Sequence, residues 1–151
     1  MLANRSMIQC TVIPELAYPD VTEAVAWLCE AFGFSVRVRI GDHRVQLNVG
    51  DGGLVITELA WSGKRGTGGL PTQPLPERDA MCCSVMVRVE DIDAHCERAC
   101  RHGAKILQSP QDFPYGERQA VVEDFAGRSW KFSQSIRDVK PEEWGGESGK
   151  L

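Results

Sequence analysis

Residues 20–33 read DVTEAVAWLCEAFG, and this stretch decides the fold because the spacing of apolar residues changes within it. Asp20 carries a short carboxylate that can accept from the free N–H groups of a first helical turn, so it reads as an N-cap. Val21, Ala24, Val25, Leu28 and Phe32 then recur at three- and four-residue steps, which lines them along one helix face, and Gly33 supplies a left-handed stop. Upstream, residues 8–18 are strand-like, with Pro14 marking an edge or bulge because it has no N–H to give a ladder. Downstream, residues 35–40, 44–49 and 54–58 are β-like, separated by Gly41-Asp42 and by Gly50-Asp51-Gly52-Gly53. The first half is therefore a β-α-β-β-β unit.

The same order returns. Residues 81–89 form a β run, Asp91 caps a second helix carrying Ile92, Ala94, Cys96, Ala99 and Cys100, and Gly103 closes it. Residues 105–108, 118–123 and 129–134 are strand-like, punctuated by Pro110, Pro114, Gly116 and Gly127. The two caps stand 91 − 20 = 71 positions apart, whereas Gly41 and Gly116, like Gly52 and Gly127, stand 116 − 41 = 75 apart. Such spacing is that of a duplicated unit with a few residues inserted in its second copy. The expectation is one domain over residues 1–151: module 1 about 8–58, an aperiodic Gly- and Pro-rich linker 59–80, module 2 about 81–134, and a tail 135–151.

Composition limits the partners. Of 151 residues, 42% are hydrophobic and 25% charged, the usage of an ordinary folded chain. A net charge of −4 and a pI near 5.4 create no basic field, which removes the main energetic term for nucleic-acid binding. No apolar run approaches the roughly 20 residues of a membrane span, and the first seven residues have no signal-peptide apolar region, so a cytoplasmic location is expected. The six cysteines are then expected to be reduced. Cys96 and Cys100 share a helix face beside His95 and are read as packing residues rather than metal ligands.

The element order, together with Tyr18-Pro19-Asp20, Phe32-Gly33-Phe34, Val89-Glu90-Asp91-Ile92-Asp93 and Glu123-Asp124-Phe125-Ala126-Gly127-Arg128-Ser129-Trp130, resembles the glyoxalase, bleomycin-resistance and extradiol-dioxygenase (vicinal oxygen chelate) superfamily. Tyr115-Gly116-Glu117-Arg118, Trp130-Lys131-Phe132-Ser133-Gln134 and Pro141-Glu142-Glu143-Trp144-Gly145 look like the C-terminal half of a bacterial glyoxalase-like subgroup. The resemblance implies an α/β (α+β) fold: two tandem β-α-β-β-β modules forming a cupped mixed sheet with the helices outside, commonly as a homodimer. Enzymes of the family hold a divalent metal in the cup with His, Gln or Glu from the first and fourth strands of each module. Its resistance proteins lack the metal and sequester a drug.

Laid on this chain, the family's ligand positions fall at Ile13 and Ser84 in the first strands and at Ile56 and Lys131 in the fourth. Isoleucine has no lone pair, and a lysine ammonium repels a dication. No metal and no cofactor are therefore expected, and metal-dependent isomerisation or oxygen chemistry loses its Lewis acid. Alternation along the strands then sends Ile13, Glu15, Ala17, Leu54, Ile56, Glu58, Cys82, Ser84, Met86, Arg88, Ser129, Lys131 and Ser133 into the cup. The candidate ligand-binding residues are Glu15, Glu58, Trp61, Ser84, Met86, Arg88, Tyr115, Lys131 and Ser133, with Tyr115 delivered by the turn after Pro114. No catalytic residue is assigned. The function expected is binding of a small molecule, aromatic or drug-like. The alternative is a lyase, isomerase or dioxygenase-type enzyme of the same superfamily using a non-standard site.

Overall fold

A computed structural model describes residues 4–58 and 83–149, which form two compact units dividing after Met81. In the first unit the order is β1 (Glu15–Tyr18), α1 (Val21–Phe32), β2 (Ser35–Ile40), β3 (Arg44–Val49) and β4 (Gly52–Glu58). In the second it is β5 (Val85–Arg88), α2 (Ile92–Arg101), β6 (Lys105–Asp112), β7 (Glu117–Glu123) and β8 (Ser129–Ser135), followed by a single 3-10 turn at Pro141–Glu143. Each unit is a four-stranded mixed sheet, β1-β4-β3-β2 or β5-β8-β7-β6, in which the first strand runs parallel to the fourth and the other pairs are antiparallel. The duplicated β-α-β-β-β order of the sequence is thus the architecture. Residues 59–80, read as a linker, lie outside the described residues.

Both helices start as their caps dictate. Asp20 Oδ1 accepts from Glu23 N at 2.8 Å, and Asp91 Oδ1 accepts from Ala94 N at 2.9 Å. Gly33 closes α1 with φ 76°, a conformation that costs a residue with a Cβ far more than glycine. Val21, Ala24, Val25, Leu28 and Phe32 are buried on the α1 side of the first sheet with Leu16, Val45, Leu47, Leu54 and Ile56. In the second unit Ile92, Cys96 and Ala99 of α2 are buried, as are Val87, Ala120, Val122, Trp130 and Phe132 of its sheet. Each fully buried Val, Leu, Ile or Phe among them contributes roughly 1.5–3 kcal/mol.

Two local devices set the second unit. Asp124, 4% exposed, accepts from Ala126 N, Arg128 N and the Trp130 indole N–H at 2.9–3.0 Å, closing the β7–β8 connection and orienting Trp130 in the core. Arg118 bridges Asp93 of α2 and Asp112 of β6 at 2.8–2.9 Å, tying helix to sheet. The Arg118 hydrogen bonds hold the Asp93 carboxyl below its ordinary range.

Several boundaries differ from the sequence expectation. Only Glu15–Tyr18 of the stretch 8–18 pairs as a strand; the segment before it crosses the sheet face opposite α1 instead. There Gln46 Nε2 donates to Ser6 O at 2.8 Å, Arg37 donates to Arg5 O at 2.8 Å, and Ile8 is buried against Gly53, where an added Cβ would come within 2.9 Å of Ile8 Cγ2. The strand expected over 105–108 runs on to Asp112, with register shifts between Ile106 and Gln111 that accommodate Pro110. Of the β run expected over 81–89, Val85–Arg88 forms the strand among the described residues, and residues 81 and 82 lie outside them. Among the described residues no helix is long and apolar enough to cross a membrane.

Candidate functional site

The ladders decide which side chains share a face. In the second unit Met86 pairs with Lys131 and Arg88 with Ser133, while Gln119 pairs with Ser133, Val121 with Lys131 and Glu117 with Ser135. All of these point away from α2, because their neighbours Val87, Ala120, Val122, Trp130 and Phe132 fill the core on the helix side. The expected facing of Met86, Arg88, Lys131 and Ser133 therefore agrees with the register. Ser84 is exposed just before β5, two residues from Met86.

On this face a continuous hydrogen-bonded network forms. Ser133 Oγ donates to Glu117 Oε2 at 2.5 Å, and Ser135 Oγ donates to Glu117 Oε1 at 2.6 Å. Arg88 reaches both Glu117 Oε1, at 3.3 Å, and the Ser135 hydroxyl. Gln119 Nε2 donates to Ser133 Oγ at 3.2 Å, and Tyr115 Oη donates to Gln119 Oε1 at 2.9 Å. Burial alone raises the Glu117 pKa, but the donated hydrogen bonds of Ser133 and Ser135 and the Arg88 charge outweigh it, so the carboxyl sits below its ordinary range. Ser133 and Gln119 are 2% and 4% exposed, whereas Met86 on the same face is 57% exposed.

Aromatic rings border the network. Tyr115 stacks on Phe113 with centroids 5.2 Å apart and meets Trp144 at 5.3 Å. The 3-10 turn at Pro141–Glu143 brings Trp144 there. Gly116 fixes the turn that carries Tyr115 and Glu117: its φ is 81°, its carbonyl accepts from Ile136 and Arg137, and an added Cβ would stand 2.2 Å from Arg137 O. Arg118, next to Glu117 in β7, points to the α2 side and serves the helix.

The first unit departs from expectation at its fourth strand. Ile56 pairs with Leu16 and Val45 and is fully buried on the α1 side, as is Leu54 opposite Leu47. Glu58 occupies the rung of Tyr18 on that same side, exposed at the strand end. The residues that face away from α1 are Val55, opposite Glu15, and Thr57, opposite Ala17. The counterpart of Lys131 is therefore Val55, at 131 − 55 = 76, not Ile56 at 75, because Met86 matches Glu15 at 86 − 15 = 71 and each forms the rung in question. Between the equivalent rungs Asn48–Gly53 and Glu123–Ser129 the second hairpin holds one residue more, so the 75-residue spacing read from the turn glycines fails in the fourth strand. Glu15 is held by Arg44 in a two-point ion pair at 2.7 and 3.2 Å. Trp61 lies outside the described residues.

A metal at the family's ligand positions would find Ile13, Val55, Ser84 and Lys131, which between them offer one hydroxyl and one ammonium. That set does not fit a dication. Among the described residues no three His, Cys, Asp or Glu side chains are grouped to hold one. His95 packs on Phe132 with ring centroids 4.0 Å apart, and burial with the nearby Arg98 charge pushes its pKa down to about 4. Cys96 beside it is pushed up to about 11, chiefly by burial, which keeps it a thiol. A groove of about 500 Å³ lined by Asp93, Cys96, Glu97, Cys100, Arg101 and Pro110 lies on the other side of this unit.

Glu117, Gln119 and Trp144 were not among the residues expected at the site. Strand alternation from Ser133 would have found the first two once β7 and β8 were paired; for Trp144 no periodic signal exists.

Comparison with known proteins supports one family. Residues 9–132 match the model of the Glyoxalase/Bleomycin resistance protein/Dioxygenase superfamily. The crystal structure of TioX from Micromonospora sp. ML1 is 32% identical, with a TM-score of 0.65, over 87% of this chain and 100% of that one. A glyoxalase/bleomycin resistance protein/dioxygenase from Nocardioides is 19% identical, with a TM-score of 0.66 over 95% of this chain and 93% of that one, a likeness of fold. The uncharacterised protein Mb0911c of Mycobacterium bovis is 33% identical over 60 residues, and the match spans 40% of this chain and 40% of that relative.

Proposed function

The chain belongs to the glyoxalase/bleomycin resistance protein/dioxygenase superfamily, and from that premise we propose that it binds a small organic molecule on the face of its second sheet turned away from α2. The observation that supports this reading is the hydrogen-bonded chain from Arg88 through Ser135, Glu117, Ser133 and Gln119 to Tyr115. Its polar groups hold one another in fixed directions beside the rings of Phe113, Tyr115 and Trp144 and the exposed Met86. Directed polar groups set against apolar surface suit a ligand of mixed character, and flat ring faces suit an aromatic one.

Binding in this reading uses no metal and no cofactor, since the family's ligand positions hold the wrong donors. Glu117 also favours binding over proton transfer: both its oxygens already accept hydrogen bonds and its pKa is held low, so it is a weak base near neutral pH. The proposal carries with it a homodimer, a cytoplasmic location, and no nucleic-acid or membrane partner.

Equilibrium dialysis of chelator-treated protein against bleomycin-like and polycyclic aromatic ligands tests it. Saturable binding in the presence of EDTA is the expected result. No binding by any of them, with stoichiometric Zn, Ni, Fe or Mn in protein purified without a metal-affinity tag and metal-dependent turnover, would favour an enzyme of the superfamily instead.

A further inference from the structure

Taking the binding face of the second unit as the ligand site, we infer that the ligand carries an anionic oxygen and that the Lys131 ammonium holds it. Lys131 stands mid-strand in β8, on the rung of Met86 on one side and Val121 on the other, so its neighbours across both ladders are apolar. It is partly buried and forms no ion pair with another described residue. With no carboxylate on either rung, the Lys131 ammonium has its charge available for a negative partner from outside the chain.

The charges on this face do not supply that partner. Glu117 spends both oxygens on Ser133, Ser135 and Arg88, so the Arg88 and Glu117 charges answer each other. Glu123 lies two residues along β7 from Val121, opposite Ser129. The middle of the face is left with one positive charge beside apolar surface, the arrangement that selects an aromatic or aliphatic body bearing a carboxylate, sulfonate, phosphonate or phenolate. An ammonium donating to such an oxygen forms a charge-assisted hydrogen bond, stronger than a neutral one.

Two fluorescent probes separate this inference from the reading it rests on: 8-anilino-1-naphthalenesulfonate, and N-phenyl-1-naphthylamine, the same rings without the sulfonate. Each is titrated into wild type, Lys131→Met and Lys131→Arg, with circular dichroism confirming that the variants fold. Wild type is expected to prefer the sulfonate by tenfold or more, on the order of one charge-assisted hydrogen bond. Lys131→Met abolishes the preference while keeping the neutral probe; Lys131→Arg retains most of it, and added salt weakens only the sulfonate. An unchanged preference in Lys131→Met overturns the inference and leaves small-molecule binding standing. Failure of both probes to bind wild type overturns binding itself, and the inference with it.

Discussion

Ser133 Oγ donates to Glu117 Oε2 across 2.5 Å, linking β8 to β7 on the face away from α2. With Ser135 and Arg88 it keeps Glu117 ionised below the carboxyl's ordinary value of 4.5. A carboxyl whose pKa is lowered on folding adds stability that is present above 4.5 and is lost as pH falls through the folded value. Glu117→Gln is therefore expected to lose stability at neutral pH and to show a shallower fall than wild type below pH 4.5. Urea unfolding from pH 6 to pH 2.5 measures both; parallel curves would count against an engaged carboxylate.

His95 gives a second pH signature in a different window. Its pKa falls from 6.5 to about 4 on folding, so the fold favours the neutral ring. Its contribution is complete above pH 6.5 and is withdrawn as pH drops towards 4, with a slope of at most about 1.4 kcal/mol per pH unit. His95→Phe should flatten stability between pH 6.5 and 4, and the His95 ring in wild type should titrate near 4 by NMR.

Asp124 serves two backbone N–H groups and the buried Trp130 indole with one side chain. Asp124→Ala leaves that indole without this acceptor and is expected to cost about 2 kcal/mol or more. Asp124→Asn, which keeps one carbonyl oxygen, should cost less. Chemical denaturation at pH 7 ranks the pair, and equal losses would contradict the assigned role.

Gly116 combines a φ of 81° with an oxygen 2.2 Å from where a Cβ would sit. Gly116→Ala must move the turn or the Arg137 backbone, and more than about 1 kcal/mol of stability should go with it. Because Tyr115 and Glu117 flank the glycine, binding of the aromatic probe should weaken too. Gly50→Ala, with a similar φ but nothing within 4 Å, should lose only the conformational part.

Ile8 covers the face of the first sheet opposite α1. Ile8→Ala is expected to destabilise by roughly 2 kcal/mol or more and to speed amide exchange in β3 and β4. Unchanged exchange there would show that the N-terminal segment does not hold to the sheet.

The sequence made much of this legible, for physical reasons that differ from place to place. The caps Asp20 and Asp91 and the change from helical to alternating period marked both modules, because these signals are local. The facing of Met86, Arg88, Lys131 and Ser133 followed from alternation within short, regular strands. The same rule failed at Ile56 and Glu58, since alternation converts a one-residue difference in turn length into the opposite face. Residues 8–14 looked like strand because a segment lying flat on a sheet needs the same apolar residues as one paired in it. Glu117 and Gln119 went unnoticed because their role depends on a cross-strand partner, which no single strand reveals.

The central claim is that the β7–β8 face binds an organic ligand without a metal. Backbone amide shifts of EDTA-treated protein titrated with 8-anilino-1-naphthalenesulfonate test it most directly. Perturbations should centre on Tyr115, Gln119, Lys131 and Ser133 and saturate together. Shifts confined to other surfaces, or appearing only once a divalent metal is restored, would contradict it.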